Sequence, residues 1–222
     1  MKRNKIIFVT FFIYAALVTC IVLGGCQQRE VKNIDSRGKT IVCFGNSLTA
    51  GAGARPGEDY PTRLAKHLSL PVINAGRGGD TSFDALGRLE EDVLNKDPLL
   101  VIVELGGNDF LLKLPLSSTA GNINKIVDKI IGSGAMVAII DISPGVVLAE
   151  YHQAFAGIAR EKSVIFLSGV LRGIMTDSRF KSDYLHPNSE GYKLIAERVY
   201  RGIIVYIQQN EILRNSKNSA KK

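Results

Sequence analysis

The fold class is decided by the stretch Val42-Cys43-Phe44-Gly45-Asn46-Ser47-Leu48-Thr49-Ala50-Gly51. An apolar, β-branched run over 40–44 ends at Gly45, and a serine follows two residues later. This pattern predicts a buried strand that passes directly into a turn carrying Ser47. Because ligands in open α/β sheets bind beyond the carboxyl ends of the strands, Ser47 is a candidate nucleophile. A turn serine that only caps a helix would give the same pattern.

Further apolar runs along the chain are typical of buried strands. They cover 72–73, 99–105, 136–142 and 164–167. Apolar residues at helical spacing between and after these runs predict helices over about 60–68, 82–93, 123–131, 148–160 and 189–208. Strand and helix therefore alternate five times. This alternation predicts an α/β fold with a five-stranded parallel sheet and helices on both of its faces.

Length and charge limit the class of protein. The chain has 222 residues, 45% of them hydrophobic, which suits one globular domain with a full core. Its formal net charge is +7, but the excess lies at the two ends. Residues 26–210 carry 21 basic and 20 acidic side chains, so a folded basic surface for nucleic acid is not expected.

The first 25 residues have the pattern of a targeting segment. Three basic residues precede an apolar run over 6–22, and Leu23-Gly24-Gly25-Cys26 follows it. A basic start, an apolar run and small residues before a cut are typical of a signal peptide, although the run is also long enough for an uncleaved anchor helix. The Leu-Gly-Gly-Cys end resembles the bacterial lipobox. That resemblance implies that Cys26 is lipidated and becomes the first residue of the mature protein.

These observations divide the chain into four parts. Residues 1–25 are interpreted as a lipoprotein signal peptide and 26–38 as a polar tether. The folded domain is expected over 39–210, and a basic, disordered tail over 211–222. The domain would then lie in the cell envelope, outside the cytoplasm and attached to a membrane by lipid. If the host has an outer membrane, delivery there is expected.

Several of the predicted strands end in residues suited to acyl-transfer chemistry. Ser47 follows the first strand, Gly79 the second and Asn108 the third. Because the carboxyl ends of parallel strands share one edge of the sheet, these residues are expected to converge on one cleft. The backbone amides of Ser47 and Gly79, with the side-chain amide of Asn108, would then form an oxyanion hole.

A serine nucleophile also needs a general base and a group that orients the base. His67 and His152 lie in predicted helices, where packing or solvation is the default role. His186 lies in a loop that leads into the last helix, and Asp183 precedes it by three residues. We therefore expect His186 to be the base and Asp183 to orient it. The three histidines form no ligand cluster, so neither a metal nor another cofactor is expected.

Four blocks of sequence resemble those of the SGNH/GDSL hydrolase family, in the same order and at similar spacing. They are Gly45-Asn46-Ser47-Leu48, Gly79, Gly106-Gly107-Asn108-Asp109 and Asp183-x-x-His186. The resemblance covers about 39–208 and is strongest to the bacterial thioesterase, lysophospholipase and arylesterase branch. It implies a three-layer α/β/α sandwich, like that of flavodoxin. It also implies a triad of Ser47, Asp183 and His186, with Ser47, Gly79 and Asn108 as the oxyanion hole.

One residue departs from the family pattern. The family usually has Asp before the nucleophile, whereas this chain has Asn46. We expect the Asn46 side chain to tie the turn together and the mechanism to be retained.

The expected function is a monomeric serine esterase that acts on carboxylic esters or thioesters of small acyl or lipid molecules. Two alternatives remain open from the sequence. One is a carbohydrate O-acetylesterase, and the other is a catalytically silent binding module of the same fold. The apolar segment 110–114 beside Asn108 favours an acyl chain over a bare acetyl group, although these leucines would also pack against one another in a plain loop.

Overall fold

The computed structural model describes residues 30–143 and 148–219. The strands are β1 Thr40–Gly45, β2 Val72–Gly76, β3 Pro98–Glu104, β4 Met136–Ile140 and β5 Ile165–Leu167. The α-helices are α1 Ser47–Ala50, α2 Tyr60–Ala65, α3 Ser82–Asp92, α4 Gly107–Leu111, α5 Leu116–Gly132, α6 Ala149–Lys162 and α7 Ser189–Ser219. Short 3₁₀ turns cover Leu94–Lys96 and Ser178–Phe180. None of the helices described here is long and apolar enough to cross a membrane.

The strands form one parallel sheet in the order β2-β1-β3-β4-β5, which confirms the predicted α/β fold. From β1 the chain first moves outward to β2 and then returns to the other side of β1 for β3. This reversal opens a crevice between the carboxyl ends of β1 and β3, where α/β proteins bind their ligands. Ser47 comes two residues after the end of β1, and Asn108 comes four residues after the end of β3.

Two hydrophobic layers cover the sheet, because successive strand side chains point to opposite faces. Ile41 and Cys43 of β1 pack in one layer with α2 and α7. Val42 and Phe44 pack in the other layer with α3, α5 and α6. All seven residues of β3 are buried, which explains why its sequence is apolar without alternation.

The predicted tether over 26–38 is wrong for residues 31–38, which belong to the folded domain. Val31 and Ile34 are buried in the core. The Asn33 side-chain amide donates to the carbonyl oxygens of Ile131 and Ala135, both at 2.9 Å. This segment lacks periodicity because it packs as an irregular loop and not because it is free. The proposed signal peptide and Cys26 lie outside the described residues.

The predicted disordered tail over 211–222 is wrong as far as Ser219, because α7 continues to that residue. The extension packs against the segment 31–38. The buried Asn210 amide donates to the carbonyl oxygens of Ile34 at 2.8 Å and Ser36 at 2.9 Å. Lys217 forms an ion pair with Asp35 at 2.6 Å. The two ends of the described chain therefore hold each other on the domain.

The Asn210→Ala variant tests how much the contact between α7 and residues 31–38 contributes to the free energy of unfolding. Asn210→Ala leaves two buried carbonyl oxygens without their donor, so we expect the free energy of unfolding to fall by about 2–3 kcal/mol. Urea denaturation followed by circular dichroism measures the loss. The neighbouring Gln209 is exposed, and Gln209→Ala is the matched control. Equal stability of the two variants would show that residues 31–38 contribute little to the fold.

Candidate active site

Ser47 lies in a tight turn between β1 and α1. Gly45 has no room for a side chain, because a Cβ on this residue would collide with the Thr49 hydroxyl and with the backbone of Glu104. Asn46 caps the helix, its side-chain oxygen accepting a hydrogen bond from the amide of Leu48 at 3.0 Å. Asn46 therefore ties the turn, as expected from its position. The turn presents Ser47 at the carboxyl edge of the sheet.

The loop before α7 brings His186 and Asp183 to the same place. The Asp183 carboxylate accepts hydrogen bonds from the backbone amides of Leu185 at 2.7 Å and His186 at 2.8 Å. These bonds hold the carboxylate 2.9 Å from Nδ1 of His186, while Nε2 lies 3.0 Å from Oγ of Ser47. The His186 hydrogen bond, with that of the Leu185 amide, lowers the pKa of Asp183 to about 2. The Asp183 carboxylate is therefore ionised at neutral pH, where it can orient the His186 imidazole.

The loops after β2 and β3 meet beside Ser47. The Asn108 side-chain amide donates to the carbonyl oxygen of Asp80 at 2.8 Å, which leaves its second N–H for another acceptor. Gly79, next to Asp80, has a φ of +86°, a conformation that favours glycine. Within the described chain, the amides of Ser47 and Gly79 have no hydrogen-bond partner. Three donors thus remain available on this side of the serine.

A cavity of about 320 Å³ lies above these groups. Ser47, Asn108 and His186 line it, whereas Gly79 does not and is held beside it by the Asn108–Asp80 hydrogen bond. Asn46, Glu104 and Gly107 also line it. The rest of the wall is largely apolar and is formed by Leu48, Phe110, Leu111, Ile142, Leu148, Leu171, Met175, Tyr184 and Leu185. A serine hydroxyl, an imidazole and hydrogen-bond donors thus meet at the base of an apolar cleft.

The sequence profile of the GDSL-like Lipase/Acylhydrolase family matches residues 43–194, which is 152 of the 222 residues. The chain belongs to this family. The matched range contains all of the residues described above as meeting at the cleft. Family membership and the relatives below make the protein an ester-bond hydrolase, so the alternative of a silent binding module is set aside.

Three similar proteins carry names that agree with this family. Esterase TesA of Pseudomonas aeruginosa is 28% identical over 81% of this chain and 95% of its own length. An arylesterase of Vibrio mimicus is 29% identical over 86% of this chain and 98% of its own. The crystal structure of the psychrotrophic esterase EstA from Pseudoalteromonas sp., inhibited by monoethylphosphonate, superposes with a TM-score of 0.68 at 27% identity. That match covers 77% of this chain and 99% of the EstA chain.

One buried arginine of this GDSL-like hydrolase joins the loops around Ser47, and sequence reasoning missed it. The Arg88 guanidinium donates to the carbonyl oxygens of Gly45 and Ala75, both at 2.9 Å. It also pairs with the buried Asp80 at 2.5 Å and lies 4.5 Å from the ring centroid of Phe44. Arg88 therefore fixes the ends of β1 and β2 together with the residue that accepts from Asn108.

A second buried network supports Asn108 from the other side. The next residue, Asp109, accepts hydrogen bonds from the Ser82 amide at 2.8 Å and the Ser82 hydroxyl at 2.5 Å. The Thr119 hydroxyl donates to the same carboxylate at 3.1 Å. Because a buried carboxylate needs such donors, this arrangement fixes α4 against the start of α3 and so positions Asn108. Hydrophobic periodicity in the sequence does not indicate this network.

Glu104 is a buried acid beneath the turn that carries Ser47. It ends β3 and accepts a hydrogen bond from the Thr49 hydroxyl at 3.0 Å. Among the residues described, its Oε1 has no hydrogen-bond partner. Burial raises the pKa of Glu104 to about 8, and the Thr49 hydrogen bond offsets only part of that effect. The side chain is therefore predominantly neutral at pH 7.

This raised pKa gives the stability of the hydrolase a characteristic pH dependence. An acid that binds its proton more tightly in the folded state stabilises the fold below its unfolded pKa of about 4.3 and loses that contribution as pH rises through the folded value. We therefore expect the free energy of unfolding to fall between pH 5 and 8, with the steepest loss at about pH 6 and a flattening as the pH passes the folded pKa of about 8. Glu104→Gln, which cannot ionise, should remove this part of the decline.

Chemical denaturation at a series of pH values measures the difference between wild type and Glu104→Gln. Glu90→Gln is the control because Glu90 is exposed on α3. Its stability should follow the wild-type curve. Parallel curves for wild type and Glu104→Gln would show that Glu104 ionises normally in the folded protein.

Proposed function

We propose that this protein is a serine esterase that hydrolyses carboxylic esters or thioesters through Ser47, His186 and Asp183. The observation that carries the proposal is the continuous hydrogen-bonded chain from Asp183 through the two imidazole nitrogens to Oγ of Ser47, at 2.9 and 3.0 Å. A nucleophile bonded to a base, with the base bonded to a carboxylate, is the arrangement that activates serine in unrelated hydrolases.

In the proposed reaction, Oγ of Ser47 attacks the acyl carbon while His186 Nε2 takes its proton. The carbonyl electron pair moves to oxygen, and the amides of Ser47, Gly79 and Asn108 stabilise the oxyanion. Collapse expels the alcohol or thiol, which receives the proton from His186, and leaves an acyl group on Ser47. Water then attacks this ester with the same base, releasing the acid and restoring the serine.

The apolar wall of the cleft supports an acyl group longer than acetyl. Phe110 and Leu111 of α4 line one side, and Leu185, next to the base, lines another. These side chains remain about half exposed, so an acyl chain would bury apolar area that now faces solvent. The names of the relatives, esterase and arylesterase, agree with ester substrates. The acetyl group of a carbohydrate ester would bury less apolar area against this wall than a longer acyl chain.

For the attachment of the enzyme, we propose that Cys26 is the acylated first residue of the mature protein. The Leu-Gly-Gly-Cys stretch after the apolar run supports it. Several acyl chains on one cysteine give lasting membrane attachment where a single chain would not. The enzyme would then act in the cell envelope, and delivery to an outer membrane is proposed where the host has one.

Ser47→Ala tests the nucleophile. Removal of Oγ leaves no atom to form the acyl-enzyme, so the variant should lose both ester hydrolysis and labelling by a fluorophosphonate, with thermal unfolding unchanged. Intact mass spectrometry reads the label. The exposed Ser117 provides the control, since Ser117→Ala should keep activity and labelling. Stoichiometric labelling of Ser47→Ala would assign the nucleophile to another residue.

Asn108→Ala tests the oxyanion hole. Loss of one donor in such a site lowers kcat by roughly 10²–10³-fold, and KM should change little because the ground-state carbonyl gains less from the bond. Asn122→Ala is the matched control, because Asn122 also donates from a side-chain amide near this network, to Ser82 Oγ at 3.1 Å, but does not line the cleft. A fall in kcat of only about twofold for Asn108→Ala would make Asn108 a structural residue.

A further inference from the structure

The described chain starts at the edge of the sheet opposite the cleft. The Lys32 amide donates to the carbonyl oxygen of Ser163 at 2.8 Å, just before β5 begins. The Asn33 side chain donates to the carbonyl oxygen of Ala135, the residue before β4. Both contacts lie at the amino ends of the strands. The nucleophile turn lies beyond the carboxyl end of β1, so start and cleft are on opposite edges.

The lengths of two helices give the distance between the amino and carboxyl edges of the sheet. Helix α7 begins at Ser189, three residues after His186, and its Asn210 bonds to the carbonyl oxygens of Ile34 and Ser36. At 1.5 Å per residue, Ser189 and Asn210 are about 31 Å apart. Helix α5 gives a second measure, since about 22 Å separates Leu116, close to the cleft, from Ile131, which accepts from Asn33.

The covalent chain between Cys26 and the fold is too short to span this distance. Val31 is already buried in the core, so only five peptide steps separate it from Cys26. Fully extended, these steps reach at most about 18 Å, whatever their conformation. An acylated Cys26 therefore stays near the amino edge of the sheet. It cannot reach a bilayer placed against the mouth of the cleft.

The amino edge also carries positive charge suited to an anionic lipid surface. Lys32 and Arg37 flank the buried start of the chain, Lys96 precedes β3, and Lys129 lies near the end of α5. All four are exposed, and none forms an ion pair with another residue in the described ranges. Exposed acids share this edge, but Asp35 pairs with Lys217 and Asp97 with Lys39. Glu30 therefore offsets the four basic residues only in part. Basic residues close to a membrane surface are attracted to anionic headgroups.

We propose that the amino-terminal edge of the sheet faces the bilayer that holds Cys26, and that the cleft opens away from that bilayer. This inference rests on the proposed acylation of Cys26 and deepens the proposed esterase function. The substrate is then an ester or thioester that arrives from the aqueous side, and lipids of the enzyme's own bilayer are out of reach of Ser47. The exposed Phe110 and Tyr184 at the cleft mouth accordingly contact the acyl group of the substrate and do not insert into the membrane.

Energy transfer from the two edges to the membrane tests this orientation. The acylated full-length protein is placed in vesicles of phosphatidylethanolamine and phosphatidylglycerol that contain a headgroup acceptor dye. A donor dye is attached to Glu211→Cys at the amino edge, next to Asn210, or to Glu190→Cys at the start of α7, both exposed. Cys43 is buried and Cys26 is acylated, so the introduced thiol is the one that reacts.

Because about 31 Å of α7 separates the two positions, transfer from position 211 should be at least about twofold more efficient than from position 190. A flexible Gly-Ser insertion of about 20 residues between Gln28 and Arg29 can extend well beyond 31 Å and should reduce the difference. Equal transfer from both positions with the native linker would overturn the proposal, as would stronger transfer from position 190.

This inference rests on the proposed acylation of Cys26 and the proposed esterase function. Two controls test these two proposals separately. If the wild-type protein leaves the vesicles in buffer without detergent, the acylation of Cys26 is wrong and the orientation is overturned with it. If the anchored wild-type protein fails to hydrolyse a water-soluble p-nitrophenyl ester, the proposed function is wrong whatever the energy transfer shows. A normal rate on the soluble ester together with the expected transfer pattern supports both.

Discussion

The register of β1 against its two neighbours is the constraint on which the site depends. Gly45, the last residue of β1, pairs with Gly76 of β2 on one side and with Glu104 of β3 on the other. All three strands therefore end at the same level, and the loops that follow them lie side by side. A Cβ at Gly76 would collide with the backbone of Ala50, so two glycines are needed for this close approach.

Buried charge holds these loops in place, and each charge is compensated differently. Arg88 and Asp80 form a buried ion pair whose remaining donors reach strand-end carbonyls, which satisfies the condition under which such a pair is tolerated. Asp109 is compensated by neutral donors alone. Glu104 keeps its proton instead. The turn that carries Ser47 thus rests on polar groups that are largely hydrogen-bonded within the protein, which makes it rigid.

The sequence was sufficient for the fold and for the residues that converge on the cleft. Strand runs and helical spacing are local patterns, and parallel strand ends share an edge, so Ser47, Asn108 and His186 were expected to meet. Arg88 and Glu104 were missed because their roles depend on which strands are neighbours. The sequence of 31–38 resembles a tether because the segment's hydrogen bonds to the rest of the domain come from residues 98 to 182 positions away, from Ile131 to Lys217.

The central claim is that Ser47, activated by His186, carries the acyl group during turnover. Rapid acid quench of the enzyme with a p-nitrophenyl ester, followed by peptide mass mapping, observes this intermediate directly. We expect a burst of about one equivalent of nitrophenolate when deacylation is slower than acylation, and an acyl mass on the peptide that contains Ser47. An acyl mass on a different residue, or turnover of a slow ester with no acylated peptide at any quench time, would contradict the account.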